Sequence, residues 1–441
     1  MGFDEAQDYL YSFADYERKD RFTYDTRTWN LVAFRKFLDE LGAPDGRLKI
    51  VHAAGTNGKG AAAAALAALL TAAGKKTGLY TSPHLATIRE RARVDGAMIP
   101  EADFARLTGK LKKLQESSGH GAGGGYRTTF ELLTALALLH FAEEKVEWAA
   151  LEVGLGGRLD ATNVVNPELC LFTDIALDHE GVLGEGLESV AREKAGILKK
   201  GVPAVSVPQE PVVQGVLEAR AAEVGTEVAF LGDGDLDGLG LDGERRVLWN
   251  NEPLALRGDF QRWNIGLALA AYKSLAGRLG LPVEENIFRR AMTGLRWPGR
   301  FEVVGKKPTV VLDGGHNPAA LAAIFAEIWR LPAQRRFLVL GISSNKDVSK
   351  MCARAGSFDR IFLTRADNPR AAAVEALAAL LPAEKTVAVP GGPAEALRAA
   401  LGEAQSGDLV LVAGSLYVVG EVKARAAELR LDASLETWVG T

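Results

Sequence analysis

The stretch Val51-His52-Ala53-Ala54-Gly55-Thr56-Asn57-Gly58-Lys59-Gly60, with the alanine-rich run Ala61 to Ala73 behind it, constrains this chain more than any other. Lys49 to Ala53 reads as a short apolar strand, the glycines as a loop and the alanines as a helix. That order converges backbone N–H groups and a helix N-terminus on one point, which suits an anion, and phosphate above all. Gly55, Gly58 and Gly60 let the backbone approach closely, and Lys59 sets an ammonium against the outer phosphates. The loop departs from the usual phosphate-loop pattern twice. Ala53 holds the first glycine position, and Gly60 follows the lysine where a Ser or Thr hydroxyl would face Mg²⁺. Taken alone, the same residues also describe a tight turn with a solvated lysine.

With 441 residues the chain exceeds one compact core, and two or three domains are expected. Charged residues are 24% and hydrophobic residues 47%, so a large core is possible and extended disorder is not expected. The formal net charge of -4 offers no basic field to nucleic acid or anionic membrane, so small molecules are the expected partners. Cys170 and Cys352 lack metal-ligand spacing, and the start of the chain carries no basic-then-apolar leader. A cytoplasmic location follows as the expectation. The apolar runs fall short of the ~20 residues that cross a bilayer.

Leu31, Phe34, Leu38 and Leu41 repeat at helical spacing up to Gly42-Ala43-Pro44. After the glycine loop and its helix, Lys76 to Tyr80 reads as a strand running into Thr81-Ser82-Pro83-His84, which completes a βαβ unit. Ser82 then lies at a strand's C-terminal end, where α/β sheets gather ligands, and can supply the hydroxyl missing after Lys59. Without that context it would be a turn-capping serine. Arg89, Arg91 and Arg93 alternate along a segment read as extended, either a solvated edge or a strip for an anionic substrate. Ser117 to Gly125 reads as a mobile surface loop ahead of a helix from Leu132 to Phe141. Trp148 to Glu152 is an apolar strand ending in an acid, the place where phosphate-loop enzymes hold Mg²⁺. The strand Leu169 to Asp174 leads to Asp178-His179, a histidine well placed beside this sheet.

Residues Gly201 to Arg257 read as further strands of the first domain, with a hairpin over Val247 to Leu256, and Gln261 opens a helix through Leu275. Trp297-Pro298-Gly299-Arg300-Phe301 breaks the pattern, so the boundary is set after Phe301, giving domains 1–301 and 302–441. Beyond it, strands at Thr309 to Leu312, Arg336 to Gly341, Arg360 to Thr364, Thr386 to Val389 and Leu409 to Val412 alternate with helical runs.

The ordered set HAAGTNGKG (from His52), GLYTSPHL (Gly78), TTFE (Thr128), EVGLGGRLDATNV (Glu152), DH (Asp178), EKAGI (Glu193), WPGRFE (Trp297), LDGGHNP (Leu312) and AGSLY (Ala413) resembles the folylpolyglutamate synthase/dihydrofolate synthase family, a branch of the Mur ligases. The resemblance runs from about Leu48 to Val419. It implies an α/β fold in which an N-terminal P-loop ATPase domain with a mainly parallel sheet precedes a smaller C-terminal Rossmann-like domain. The implied activity is ATP-dependent amide formation between a pteroate or folate carboxylate and L-glutamate, through an acyl phosphate.

Residue by residue, the resemblance puts Thr56, Asn57, Gly58, Lys59 and Gly60 on the ATP phosphates and Ser82, Glu152 and His179 on Mg²⁺. Lys194 matches the lysine that Mur ligases carbamylate, which would serve a second Mg²⁺; unmodified, it would pair Glu152 or phosphate. Asn264 matches an adenine contact, Arg300 a phosphate contact and Asp313 a ribose contact. His316 and Ser415 match positions facing glutamate, and Thr129, Phe130, Asp160 and Ala161 match the pterin-side pocket. Lys59, Lys194 and His316 are the candidate catalytic groups. The resemblance also implies domain closure over the acyl phosphate and a monomer. Ala61, Gly315 and Asn345 depart from the family's usual Ser, Ala and Asp, and none of them is a proposed metal ligand. TTFE and GRLDAT resemble bifunctional bacterial members, which extend reduced folates as well as acting on dihydropteroate. Two alternatives share the phosphate loop: a Mur-type ligase of cell-wall precursors, and a regulatory ATP-binding protein whose phosphate release would be indifferent to glutamate.

Overall fold

The structure, a computed structural model, describes residues 1–17, 24–26, 29–117 and 127–432. The expected mobile loop from Ser117 to Gly125 lies outside them, apart from Ser117 itself. By contact the described residues divide into two compact units, those of 1–239 with 263–295, and those of 240–262 with 296–432. The second unit thus takes residues 240–262 and 296–301 from ahead of the 301/302 boundary read from the sequence.

The first unit is built on an eight-stranded sheet of β1 (Lys49–Ala54), β2 (Thr77–Tyr80), β3 (Ala92–Val94), β4 (Ala97–Met98), β5 (Trp148–Glu152), β6 (Leu169–Phe172), β7 (Ala204–Ser206) and β8 (Val228–Phe230). Its order is β4-β3-β2-β5-β1-β6-β7-β8. β1 pairs in parallel with both β5 and β6, while β3 and β4 join as an antiparallel edge. The chain leaves β1 toward β2 on one side and later reaches β6 on the other. The ends of β1, β5 and β6 therefore open onto a switch in strand order, where α/β sheets bind ligands.

The helix Lys59–Ala72 is buried from Gly60 through Leu70 and has no polar face. Alanine makes this possible, because small side chains let β1, β2 and β5 close on one side and the helix Glu285–Gly294 on the other. One apolar cluster, from Leu10, Phe34 and Phe104 to Leu136 and Phe141, fills the space under the helices Phe3–Tyr11, Leu31–Glu40, Glu101–Ser117 and Thr129–Glu143. Another joins Phe172 and Ile175 to Val190 of the helix Gly186–Ala195 and Leu217 of the helix Pro211–Val224.

β9 (Leu239–Leu241), β10 (Arg246–Trp249) and β11 (Glu252–Arg257) form a small sheet. In the second unit Arg245 makes two hydrogen bonds to Glu327, a buried acid on the helix Pro318–Arg330. That ion pair joins residues 240–262 to the second unit, a contact that hydrophobic periodicity does not register. The unit's main sheet comprises β12 (Glu302–Lys306), β13 (Thr309–Leu312), β14 (Arg336–Leu340), β15 (Arg360–Leu363), β16 (Thr386–Ala388) and β17 (Leu409–Ala413). Its order is β12-β13-β17-β14-β15-β16, with β12 antiparallel and the rest parallel. This is the Rossmann-like arrangement expected. Among the described residues no helix is long and apolar enough to cross a membrane.

Candidate active site

At the end of β1, Gly55 has φ +149° and Gly58 φ +90°, the second in a left-handed conformation that favours glycine. Gly58 is the N-cap of the helix Lys59–Ala72 and brings no side-chain oxygen to its first N–H groups. Those donors and the helix dipole are arranged for an anion. The loop is strapped to the chain after β6. Thr56 N and Asn57 N donate to the Asp174 carbonyl at 2.7 and 3.2 Å, and the Asn57 amide donates to the Asp174 carboxylate at 3.1 Å. Thr56 Oγ1 donates to the Ala176 carbonyl at 2.9 Å and accepts from Ala176 N at 3.0 Å. Lys59 Nζ donates to the Thr56 carbonyl at 3.2 Å. Asn264 is packed on the loop, since a methyl at Gly58 would come 2.3 Å from Asn264 Oδ1.

Ser82 follows β2 and Glu152 ends β5, and Ser82 N donates to Glu152 Oε2 at 3.0 Å. The Ser82 backbone is thus held on a buried carboxylate, and carboxylate and hydroxyl oxygens are donors that Mg²⁺ takes alongside phosphate and water. His179 caps the short helix Glu180–Leu183, with its Nε2 3.8 Å from Asp178 Oδ2. Among the described residues no group of three or more His, Cys, Asp or Glu has metal-site spacing. An ion held beside Glu152 would take further oxygens from phosphate or water.

Lys194 is buried and donates to the Gly55 carbonyl at 2.7 Å, so it holds the phosphate loop directly. Its helix, Gly186–Ala195, is docked on the loop that follows Glu152. Arg158 N donates to the Glu193 carbonyl at 2.8 Å, and the Arg158 guanidinium pairs with Glu193 Oε1. Asn163 Nδ2 bridges the Arg158 and Gly196 carbonyls at 3.0 and 3.1 Å. A methyl at Gly157 would strike the Glu193 carbonyl at 2.7 Å, so the two segments touch backbone to backbone.

Asp160 is fully buried and arranges the same loop. Its Oδ2 accepts from Gly154 N and Leu155 N at 3.0 and 2.9 Å, and its Oδ1 accepts from Thr162 N at 2.9 Å. Burial pushes its pKa up against the pull of these donors. The Phe130 ring lies on Gly154, where a methyl would come within 2.4 Å of it. Ala161 is buried in the 3₁₀ turn beyond Asp160. The Thr129 hydroxyl is directed to the Leu10 and Phe13 carbonyls at 3.0 and 3.3 Å, an anchoring contact to the N-terminal helix.

In the second unit Asp313 lies just past β13 and accepts from Phe301 N at 2.8 Å and Gly315 N at 2.7 Å. Burial raises its pKa to about 6, with Arg300 pulling the other way. Arg300 Nη1 donates to the Gly299 carbonyl at 3.2 Å and stands beside Gly314, where a methyl would meet it at 2.6 Å. His316 Nδ1 lies 3.0 Å from the Gly314 carbonyl. Ser415, after β17, caps the helix Leu416–Ala424 by accepting from Tyr417 N at 3.2 Å. Asp313 N donates to the Val412 carbonyl at 3.0 Å and Leu416 packs over Gly314, so the loops carrying His316 and Ser415 adjoin.

Neither reading of the arginine strip describes Arg91 or Arg93. Arg91 ends a 3₁₀ turn, is 4% exposed, and binds both carboxylate oxygens of Glu17 while its Nε donates to His84 Nδ1 at 2.9 Å. Arg93 is equally buried and donates to the Gly96 carbonyl. Sequence reading also missed Asp174, whose carbonyl and carboxylate hold the phosphate loop, and His52, which donates no obvious motif signal from inside a strand. The acid after an apolar strand was the available clue to Asp174.

Two outcomes follow. Gly58→Ala should cost about 1–3 kcal/mol of stability, since it adds left-handed strain to a clash. In thermal unfolding, adding Asn264→Ala should recover part of that loss; no recovery would mean that the contact is irrelevant. For Asp313, a folded pKa near 6 against 3.8 for the free group means that the native state holds the proton longer. Its contribution is therefore full below pH ~4 and falls by about 3 kcal/mol as pH rises through ~6. Denaturant titrations should show that slope, and Asp313→Asn should flatten it while lowering absolute stability, because the amide cannot accept from both N–H groups.

The Mur ligase, glutamate ligase domain model matches residues 299–416. The probable bifunctional folylpolyglutamate synthase/dihydropteroate synthase of Haloferax volcanii is 34% identical across 93% of this chain and 50% of its own length. A Halobacterium salinarum relative is matched over 52% of its length, so the chain spans about half of these two curated relatives. The Escherichia coli dihydrofolate synthase/folylpolyglutamate synthase is 36% identical over 84% of both chains. Among solved structures, Mycobacterium tuberculosis folylpolyglutamate synthase complexed with ADP superposes with a TM-score of 0.85, at 28% identity over 96% of this chain and 97% of that one. Escherichia coli FolC in complex with DHPP and ADP gives 0.81, at 31% identity over 98% and 99%. The Yersinia pestis bifunctional enzyme complexed with AMPPNP and Mn ion gives 0.79, at 29% identity over 98% of each. On this agreement in sequence and fold, the chain belongs to the folylpolyglutamate synthase/dihydrofolate synthase family of Mur-type ligases.

Proposed function

We propose that this chain uses ATP to join L-glutamate to the carboxylate of a pteroate or folate, acting both on dihydropteroate and on reduced folates. The observation that carries this reading is the meeting, at the C-terminal edge of one sheet, of the uncapped phosphate loop, the Ser82–Glu152 pair and the Lys194–Gly55 hydrogen bond. A carboxylate resists attack by an amine until one oxygen becomes a leaving group. Transfer of the ATP γ-phosphoryl to that oxygen gives an acyl phosphate, glutamate's amine attacks the acyl carbon, and phosphate departs.

Little covalent chemistry is left for the protein, so positioning and charge stabilisation provide the catalysis. We assign Thr56, Asn57, Gly58, Lys59 and Gly60 to the phosphates, and Asn264 to the nucleotide it borders. Relatives complexed with ADP, and with AMPPNP and Mn ion, support a nucleotide and a divalent cation here. Ser82, Glu152 and His179 are the residues assigned to Mg²⁺, which would supply positive charge against the phosphate oxygens. Lys194, as a carbamate, would serve a second ion. A carbamate nitrogen keeps one N–H, so the bond to Gly55 can persist. Phe130, Asp160 and Ala161 shape the acceptor side, with Thr129 anchoring it; the FolC complex with DHPP supports an acceptor site in this fold. In the second unit Arg300 and Asp313 are assigned to the nucleotide, and His316 and Ser415 to glutamate. The protein is proposed to act as a cytoplasmic monomer, and its two cysteines are free and buried.

The test is phosphate release with Mg-ATP and L-glutamate, using dihydropteroate and tetrahydrofolate in parallel. Turnover should appear with each acceptor and vanish without glutamate; release indifferent to glutamate would overturn the ligase. For Lys194, Lys194→Ala should lose at least ~10²-fold in kcat and regain activity with short carboxylic acids rather than with alkylamines. Rescue by amines alone would remove the carbamate.

A further inference from the structure

His52 and Thr162, where a buried hydrogen-bond chain to Asp160 begins, have no part in the assignments above. His52 is fully buried in the middle of β1, three residues before Gly55, opposite Leu151 of β5 and Cys170 of β6. Its Nε2 lies 2.8 Å from Thr162 Oγ1. That hydroxyl gives its single proton to Asp160 Oδ1, at 2.5 Å. It can therefore only accept from the imidazole, which fixes the tautomer with the proton on Nε2. Burial holds the His52 pKa down to about 3, with Lys199 adding to it, so the donor is a neutral N–H throughout the working range. Nδ1 is buried without a partner. The residue thus carries an unmet acceptor in the core in order to present one donor at one place.

Beyond Thr162 the chain reaches the active-site loop. Asp160 Oδ2 accepts from Gly154 N and Leu155 N, the first backbone groups after Glu152 and Val153. Gly154 is where the Phe130 ring rests. A single path of hydrogen bonds thus links the strand of the phosphate loop to the wall of the acceptor side. We propose that His52 is a positioning residue for the acceptor: through Thr162 and Asp160 it fixes the Gly154–Leu155 backbone under Phe130, and so sets the affinity for the pteroyl substrate without touching ATP. This rests on the ligase reading.

The test compares His52→Gln, His52→Asn and His52→Leu in the full chain, measuring acceptor KM, ATP KM, kcat and thermal stability. A glutamine amide nitrogen can reach the place of Nε2, whereas an asparagine amide falls near Nδ1 and leucine donates nothing. His52→Asn and His52→Leu should raise acceptor KM about tenfold with ATP KM changed less than about twofold, and His52→Gln should restore most of the loss. A core residue acting by packing alone would lower stability in all three without this split or rescue. Should His52→Leu fail to fold, Thr162→Val against Thr162→Ser breaks and keeps the same chain. Equal acceptor KM in donor and non-donor variants, or ATP KM rising in parallel, would overturn the inference while parent turnover leaves the ligase standing. A parent without glutamate-dependent turnover overturns both.

Discussion

The hydrogen bond from Lys194 to the Gly55 carbonyl is the contact on which the geometry around the end of β1 depends. A buried ammonium needs strong acceptors around it, and its position is only as fixed as the helix that carries it. That helix is held by the loop after Glu152, through Arg158, Asn163 and the close approach of Gly157 to Glu193. The loop is in turn held by Asp160, which gathers three backbone N–H groups and the Thr162 hydroxyl. Residues far apart in sequence, from His52 to Lys194, thus form one rigid surround for the end of β1. Loss of any one of them leaves buried donors or acceptors unmet, so the arrangement holds as a unit.

Much of this was legible as pattern. The strands Trp148–Glu152 and Thr309–Leu312 coincide with their apolar runs, and the other strands given bounds from the sequence agree to within a residue or two, whereas Gly201 to Arg257, read as strands, also holds the helix Pro211–Val224. Central strands of parallel sheets are buried on both faces and read as continuous apolar stretches, so they declare themselves. The glycine loop was legible for a different reason: a strand, three glycines, a lysine and a small-residue helix have few other uses.

What was not legible depends on partners distant in sequence. Arg91 and Arg93 look like surface residues because arginine usually is one, yet Glu17, His84 and the Gly96 carbonyl satisfy them in the interior. Residues 240–262 look like more of the first domain until Arg245 finds Glu327. His52 hides inside an apolar strand, where its one donor matters only after Thr162 has been brought opposite. Local pattern determines the elements, whereas long-range hydrogen bonds determine which polar residues end up inside them.

The two units both present their loops at the C-terminal ends of parallel strands, yet they differ in what those ends can bind. The helix Lys59–Ala72 starts on a glycine, and its first N–H groups gain nothing from the capping residue's side chain. The helices Pro318–Arg330 and Leu416–Ala424 start on Asn317 and Ser415, whose side chains already accept from Ala320 N and Tyr417 N. An anion binding there would have to displace a cap worth about 1 kcal/mol. Backbone donors left free of a side-chain cap at a helix start are thus a feature of the glycine loop in the first unit, whereas the corresponding helix starts at Asn317 and Ser415 are already satisfied from within.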